Sequence, residues 1–342
     1  MEESIKAITN INFISALFMT LSLIVIGFIF RKCKLVDENS KKTLSTLIMK
    51  LFIPSLAFSS LLIDFDVNTL IQSGWIILIT FITYIICLLI GRLIFIKYGK
   101  QKSVIYSLIM SLGQITLFGL PLVKAIYPTY GAIVGNVMAL PFRFFVYFYS
   151  YIVIANLKIE KKTIGITMKK IFLNPIIIAM IASIVIYLTQ PIMPKVKINE
   201  ISYSILRIDK TLTPVYYVIN LLSNLTTPLC MLLIGITLGE LSCRGALTNK
   251  LAWFLALLKS LVSPLIMILM IYIFSFVPRI NLTKDIICSM IVCFSAPLSA
   301  IVNTYCITYN KEEIVASDSV FLSTILSVVS VPFLIFIVTL IF

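Results

Sequence analysis

Ser111-Leu-Gly-Gln-Ile-Thr-Leu-Phe-Gly-Leu-Pro-Leu122 is a hydrophobic stretch interrupted by glycines and a proline where a membrane-crossing helix should be unbroken. A second such stretch lies far downstream: Cys293-Phe-Ser-Ala-Pro-Leu-Ser-Ala-Ile-Val-Asn-Thr304, with its proline between hydroxyl and amide side chains. Proline removes a backbone donor and crowds the preceding turn, so carbonyls around each break lose their helical partners. In lipid such groups need partners from protein, water or ligand. Paired breaks in corresponding places of two halves point to a binding site between them rather than to loops.

Composition agrees with a membrane protein. Of the 342 residues, 60% are hydrophobic and only 12% charged, with a mean hydropathy of +1.08; soluble domains carry about twice that share of charge. The formal charge of +14 sits mostly in short loops between apolar runs, so it argues for membrane topology and against nucleic acid as a partner. Seven cysteines without CxxC spacing argue against a disulfide framework or a zinc site. The chain has no histidine, which excludes histidine-based catalysis and metal ligation, and no residue pattern calls for a cofactor.

Apolar runs predict an all-α protein of ten spans, at roughly 11–30, 43–62, 73–96, 104–127, 131–156, 173–190, 215–239, 251–276, 285–308 and 314–341. The first is too long for a cleaved signal and lacks a small-residue cleavage site, so it is expected to stay. Seventeen Lys and Arg fall in one set of alternate loops and eight in the other. The positive-inside rule then places the richer set in the cytoplasm and both termini outside a multi-pass protein of the cell membrane. Between Pro191 and Pro214, Ile198, Ile201, Ile205 and Ile208 recur at three- and four-residue steps, predicting a short amphipathic helix on the outer surface.

Aligning the prolines exposes a repeat. Pro54 precedes Pro121 by 67 residues and Pro228 precedes Pro297 by 69. The chain is expected to divide into five spans at 1–156, a basic cytoplasmic loop at 157–172 and five spans at 173–342. Five being odd, the second set enters from the opposite side, giving a 5+5 inverted repeat with two broken, crossing helices. Half-helices starting at Pro121 and Pro297 would each present free N–H groups and about half a positive charge. Two such ends facing one another make an anion site.

Several pieces, in order along nearly the whole chain, carry a resemblance. Gly119-Leu-Pro-Leu122, Phe52-Ile-Pro-Ser-Leu-Ala-Phe58, Asn174-Pro-Ile-Ile-Ile-Ala179, Thr227-Pro-Leu-Cys-Met-Leu-Leu-Ile-Gly235, Ala296-Pro-Leu-Ser-Ala300 and Leu322-Ser-Thr-Ile-Leu326 are similar to motifs of the auxin efflux carrier family. That family includes plant PIN-type auxin transporters and bacterial malate and organic-acid permeases. The resemblance implies a fold like that of sodium/proton antiporters and bile-acid transporters, with crossed broken helices in a moving domain on a scaffold. It implies an organic anion as substrate and, in plant members, a homodimer. Where family members often place asparagine just before the fourth-span crossover, this chain has Gln114, which keeps the hydrogen-bonding type and changes its reach.

Candidate substrate-binding residues are therefore Gln114, Thr116, Gly119, Pro121, Pro297, Ser299 and Asn303 around the breaks, with Ser295 beside them; each polar one could instead satisfy freed carbonyls. Asp318 is the one carboxylate well inside an apolar run, and Arg143 is its nearest equivalent in the first half. An ion pair between them is expected beside the site, with Arg143 attracting the substrate and Asp318 a candidate for proton coupling. The other readings are a purely structural pair and snorkelling of the two charges to the surface. Lys50 and Lys259, one to two turns from cytoplasmic ends, are expected to snorkel to the interface. The implied function is alternating-access transport of small carboxylates, the bilayer being the other partner. The alternatives are a cation/proton antiporter of the same fold and an integral-membrane enzyme; the first lacks a carboxylate pair, the second lacks convergent catalytic groups.

Overall fold

Residues 11–128, 130–156, 165, 173–198, 201–240, 243–278 and 282–342 are described by a computed structural model. The expected basic loop at 157–172 lies, but for residue 165, outside them. Leu- and Ile-rich runs with few charges give α1 (Ile11–Lys32), α2 (38–59) and α3 (Val67–Ile94). The first broken segment gives α4 (Lys100–Ser111) and α5 (Ile115–Ile126), followed by α6 (Gly131–Ile154) and α7 (Pro175–Thr189). After a hairpin of β1 (Lys195–Ile198) and β2 (Ile201–Ser204) come α8 (Ile208–Thr211), α9 (Thr213–Glu240), α10 (Cys243–Thr248) and α11 (Lys250–Ser275). The second broken segment gives α12 (Lys284–Phe294) and α13 (Ala300–Thr308), and α14 (Glu313–Ile341) ends the chain. By length and apolarity α3, α6, α9, α11 and α14 can each cross a membrane; α5 and α7 are shorter apolar helices.

Side-chain caps set several helix starts. The carboxylates of Asp37 and Asp66 accept from the N–H groups of Ser40 and Thr69 at the heads of α2 and α3. Asn174 accepts from Ile176 N at 2.9 Å, with Pro175 in the first turn of α7 where its missing N–H costs nothing. Among the described residues four stretches adopt π geometry: Ile48–Phe52, Ile115–Gly119, Phe144–Ser150 and Leu258–Val262. Three of them end two residues before a proline, Pro54, Pro121 and Pro264 respectively. The widened turn moves carbonyls away from the ring that would otherwise clash, so each helix continues through its proline.

The amphipathic helix expected between 191 and 214 is not what forms. Lys195–Ile198 pairs antiparallel with Ile201–Ser204, Ile198 opposite Ile201, and among the described residues of this stretch ahead of α9 only Ile208–Thr211 is helical. Lys-Val-Lys-Ile and Ile-Ser-Tyr-Ser also alternate with period two, and over so few residues the two periods cannot be told apart. Arg207, 3% exposed, pairs with Asp64 and Asp209 and so fastens this segment to the loop ahead of α3.

The core has two parts. A large cluster surrounds the two breaks and draws on α3 to α6, α11, α12 and α14; a smaller one, with Ile48, Ile53, Ala57, Ile176, Met180, Cys230 and Leu233, lies between α2, α7 and α9. Large apolar side chains such as Leu93, Tyr217, Phe276 and Val329 remain exposed on the outside, as a lipid-facing surface requires. α1 lies along α9 through glycines: a Cβ on Gly27 would run into Leu232 O, one on Gly235 into Ile24 O, and one on Gly239 would come within 2.7 Å of Arg31 Cβ. Such small residues let backbones touch. Gly235→Ala is therefore expected to push α1 off α9 and lower the apparent melting temperature of the detergent-purified protein by several degrees. Gly74→Ala, at a site with nothing within 4 Å of the added methyl, should leave it unchanged.

Candidate functional site

The two breaks meet. α4 stops at Ser111 and the chain turns extended at Leu112; α12 stops at Phe294 and turns extended at Ser299. Gly113 and Leu298 form an isolated antiparallel bridge, flanked by Gln114 N donating to Pro297 O at 2.6 Å and Ser299 N donating to Leu112 O at 3.0 Å. Each break thus supplies backbone partners to the other, replacing part of what its own helix lost. Gly113 is required by this approach: a Cβ there would lie 2.8 Å from Ala296 O and 2.9 Å from Lys259 Nζ.

Three carbonyls at the ends of the broken helices meet one face of α11. Lys259 and Ser263, a turn apart on that helix, reach the ends of the broken helices. Ser263 Oγ donates to Met110 O at 2.7 Å, and Lys259 Nζ donates to Phe294 O at 2.9 Å and lies 3.5 Å from Ser111 O. The ammonium also stands over the Phe294 ring, 5.1 Å from its centroid. Lys259 is 1% exposed, so the expected snorkelling does not occur: the side chain turns inward because two helix C-termini end there. Lys50, by contrast, is exposed. Each C-terminus carries about half a negative charge, so the two together match one ammonium.

The opposite ends of the crossing face a cavity of about 320 Å³, within the size range of small-molecule sites. Gln114, which heads α5, and Pro297 and Ala300, which lead into α13, form one end of it. Gln114 Oε1 accepts from Ala300 N at 2.7 Å, which fixes the amide's orientation and leaves its NH2 group as a donor. Asn303 Oδ1 accepts from Ser317 Oγ at 3.1 Å, leaving its NH2 likewise. The walls include Leu117, Leu233, Ile234 and Val320, and the far end has Lys41 and Glu240. On the other side of the break, between α1, α5 and α14, Ile24, Phe118, Leu122 and Val331 leave a void of only about 10 Å³, room for one water at most.

Of the expected site residues, Gln114, Pro297 and Asn303 line this cavity; Thr116, Gly119, Pro121 and Ser299 are buried beside it without lining it. The first half-helix restarts at Ile115, not Pro121, because the π turn at Ile115–Gly119 carries the helix past the proline. Gly119 serves packing: its missing Cβ would sit 3.0 Å from Cys293 Cα. The second half-helix begins at Ala300, three residues after Pro297.

The expected pair of Arg143 and Asp318 does not form. Arg143, 3% exposed on α6, donates only to Met180 Sδ at 3.4 Å; its Nη2 has no partner, and none of the ion pairs among the described residues includes it. Asp318 lies on α14 beside cavity-lining Ser317 but bonds Asn249 Nδ2 at 2.8 Å, whose Oδ1 caps α11 at Ala252. Equivalent positions in two repeats need not be adjacent. Asp318→Asn keeps a hydrogen-bonding group for Asn249 and is expected to cost about 1 kcal/mol of stability. Uptake into vesicles should be retained within about twofold; a loss beyond tenfold at normal folding would make Asp318 a coupling group.

The membrane transport protein family matches residues 12–335. The chain belongs to that family, the auxin efflux carrier family to which its motifs point. No curated protein matches the chain. This auxin efflux carrier family member is thus a membrane transport protein whose cavity abuts paired helix breaks. Lys259 is the residue of the crossing whose place the sequence did not show. Its only signal was a lysine a turn and a half ahead of Pro264 in an otherwise apolar span.

Proposed function

We propose that the chain is a secondary transporter of small organic anions, carboxylates such as malate or auxin-like acids, loaded at the cavity beside the crossed breaks. The charge balance at the crossing supports this reading. Two C-termini of about half a negative charge each are offset by Lys259, while two N-termini of about half a positive charge each remain unopposed beside Gln114 and Asn303. Among the described residues no carboxylate sits at the crossing; Glu240 lines the cavity at its far end, where Arg31 and Lys41 hold it. A cation would meet net repulsion at this end and an anion net attraction.

The ten-span, 5+5 inverted arrangement belongs to the same proposal, with α4–α5 and α12–α13 each counted as one crossing. The smaller core of α2, α7 and α9 would be the scaffold, and the larger core, with the breaks, the part that rocks. The cavity reaches Lys41 and Glu240, at the end that the positive-inside rule makes cytoplasmic; the reading is therefore of an inward-facing form, with both termini outside the cell membrane. Proton coupling and a homodimer remain expectations of the family.

Arg143 stands behind the cavity wall: Met180, its sole partner, packs in the cluster containing Leu233, and Leu117 packs against that cluster. A buried guanidinium without a counter-charge destabilises the fold that holds it. Arg143→Met should raise the apparent melting temperature and lower uptake at least about tenfold, the trade expected of a functional charge; unchanged uptake would leave Arg143 without a role in binding. The test of the function itself is uptake of radiolabelled mono- and dicarboxylates into proteoliposomes, with and without an imposed pH gradient. Saturable uptake of a carboxylate supports the reading. Its absence, with correctly inserted protein, overturns it.

A further inference from the structure

Three charged side chains meet at the cavity's far end. Glu240, at the end of α9, holds Arg31 from the end of α1 at 3.0 Å through Oε1 and Lys41 from the first turn of α2 through Oε2. Arg31 also donates to Val36 O at 2.8 Å and approaches Glu38 at 3.9 Å. Both Lys41 and Glu240 line the cavity whose inner end carries the amide donors of Gln114 and Asn303. Their side chains are 24% and 19% exposed, so the pair is sheltered without being sealed, while Glu240 Oε1, on the Arg31 side, is fully buried. The cavity therefore already contains a carboxylate bound by two cations, one of which, Lys41, lines it with Glu240, and that carboxylate is the protein's own.

Resting on the carboxylate-transport reading, we propose that Glu240 is a tethered competitor for the carried carboxylate: in the empty cavity it occupies Lys41 and Arg31, and loading and release at this end proceed by carboxylate exchange on those cations. Lys41 thereby becomes a substrate-binding residue and Glu240 a positioning residue acting through it. Stripping a sheltered ammonium bare is costly, whereas replacing one carboxylate by another leaves each cation paired throughout. A competitor tethered by a short flexible arm acts at an effective concentration on the order of millimolar, weakening the apparent affinity of any free carboxylate that needs the same cations. It also speeds release, since Glu240 stands ready to reclaim them.

The test is the kinetics of [14C]malate uptake in proteoliposomes, or of whichever carboxylate of the panel is carried, for Glu240→Gln, Glu240→Asp, Lys41→Gln and the Glu240→Gln/Lys41→Gln double variant. Exchange requires that Glu240→Gln lower KM at least about threefold and lower kcat with it, because the substrate then holds the cations unopposed. Glu240→Asp, which keeps the charge but shortens its reach, should move KM the same way by less and covers the case in which the glutamine variant does not fold. Lys41→Gln should raise KM, and Glu240→Gln should lower KM by less in that background, where Arg31 alone is left to free, than in the parent, a non-additivity that marks a shared partner. A KM unchanged or raised by both Glu240 variants, with the parent transporting normally, overturns the inference alone and leaves the three charges as a tie between helix ends. Absence of carboxylate uptake by the inserted parent overturns both.

Discussion

Lys259→Met is expected to abolish transport and to destabilise the fold. The usual expectation for a buried charge is that an apolar residue of similar shape is tolerated or better. Here the carbonyls that the ammonium serves stay behind. Phe294 O loses its 2.9 Å donor, Ser111 O loses its nearest cation, and both remain buried at the ends of helices whose dipoles then face one another uncompensated. Leaving one such acceptor unsatisfied costs about 1–3 kcal/mol, and the lost compensation of two partly buried helix ends adds up to about 2 kcal/mol at each. Uptake should fall below detection and the apparent melting temperature of the purified protein should drop by several degrees. Lys259→Arg keeps the charge but not the room, since the existing Nζ already lies within 2.9 Å of where a Gly113 Cβ would stand; partial recovery of stability without recovery of uptake is the expected result.

Gly113→Ala should have the second largest effect. Its methyl would stand 2.8 Å from the backbone oxygen of Ala296, and no rotamer change can relieve a contact with backbone. Relief must come from opening the bridge between Gly113 and Leu298, which strains the flanking bonds from Gln114 to Pro297 and from Ser299 to Leu112. Stability should fall toward the upper end of the about 1–3 kcal/mol typical of overpacking. Carboxylate binding should be lost even in the fraction that folds, because Gln114 Oε1 would no longer meet Ala300 N. Equilibrium binding and thermal stability measured on the same preparation, with Gly74→Ala as the neutral control, check both statements.

The breaks could be read from the sequence because glycine, proline and small polar residues interrupt otherwise unbroken apolar runs, and an interruption in lipid needs a partner. Their limits could not. Pro121 looks like a helix start, yet the ladder slips by one residue at Ile115–Gly119 and runs past it, a register change that accompanies the proline but lets the helix start well ahead of it. Lys50 and Lys259 read alike, each a turn or so ahead of a proline; only the placement of Ser111 and Phe294 against α11 gives Lys259 something to serve. The Arg143–Asp318 expectation failed for a related reason: alignment of repeats shows which positions correspond, while contact depends on how the helices are arranged in space. Ile198 to Ile208 suited two periods at once, and strand pairing prevailed over so short a run. Gln114 was recognised by its place before the break, but that its oxygen would cap the other half-helix follows only from the crossing.

The central claim is that the crossing selects negative charge, and the most direct measurement is equilibrium binding of [14C]malate to the purified protein in competition with unlabelled malate, its uncharged diamide and sodium ions, repeated with indole-3-acetate and its amide. Displacement by the acids but not by the amides, together with no saturable binding of 22Na+, is the predicted result. Equal displacement by acid and amide, or saturable 22Na+ binding without carboxylate binding, would contradict it.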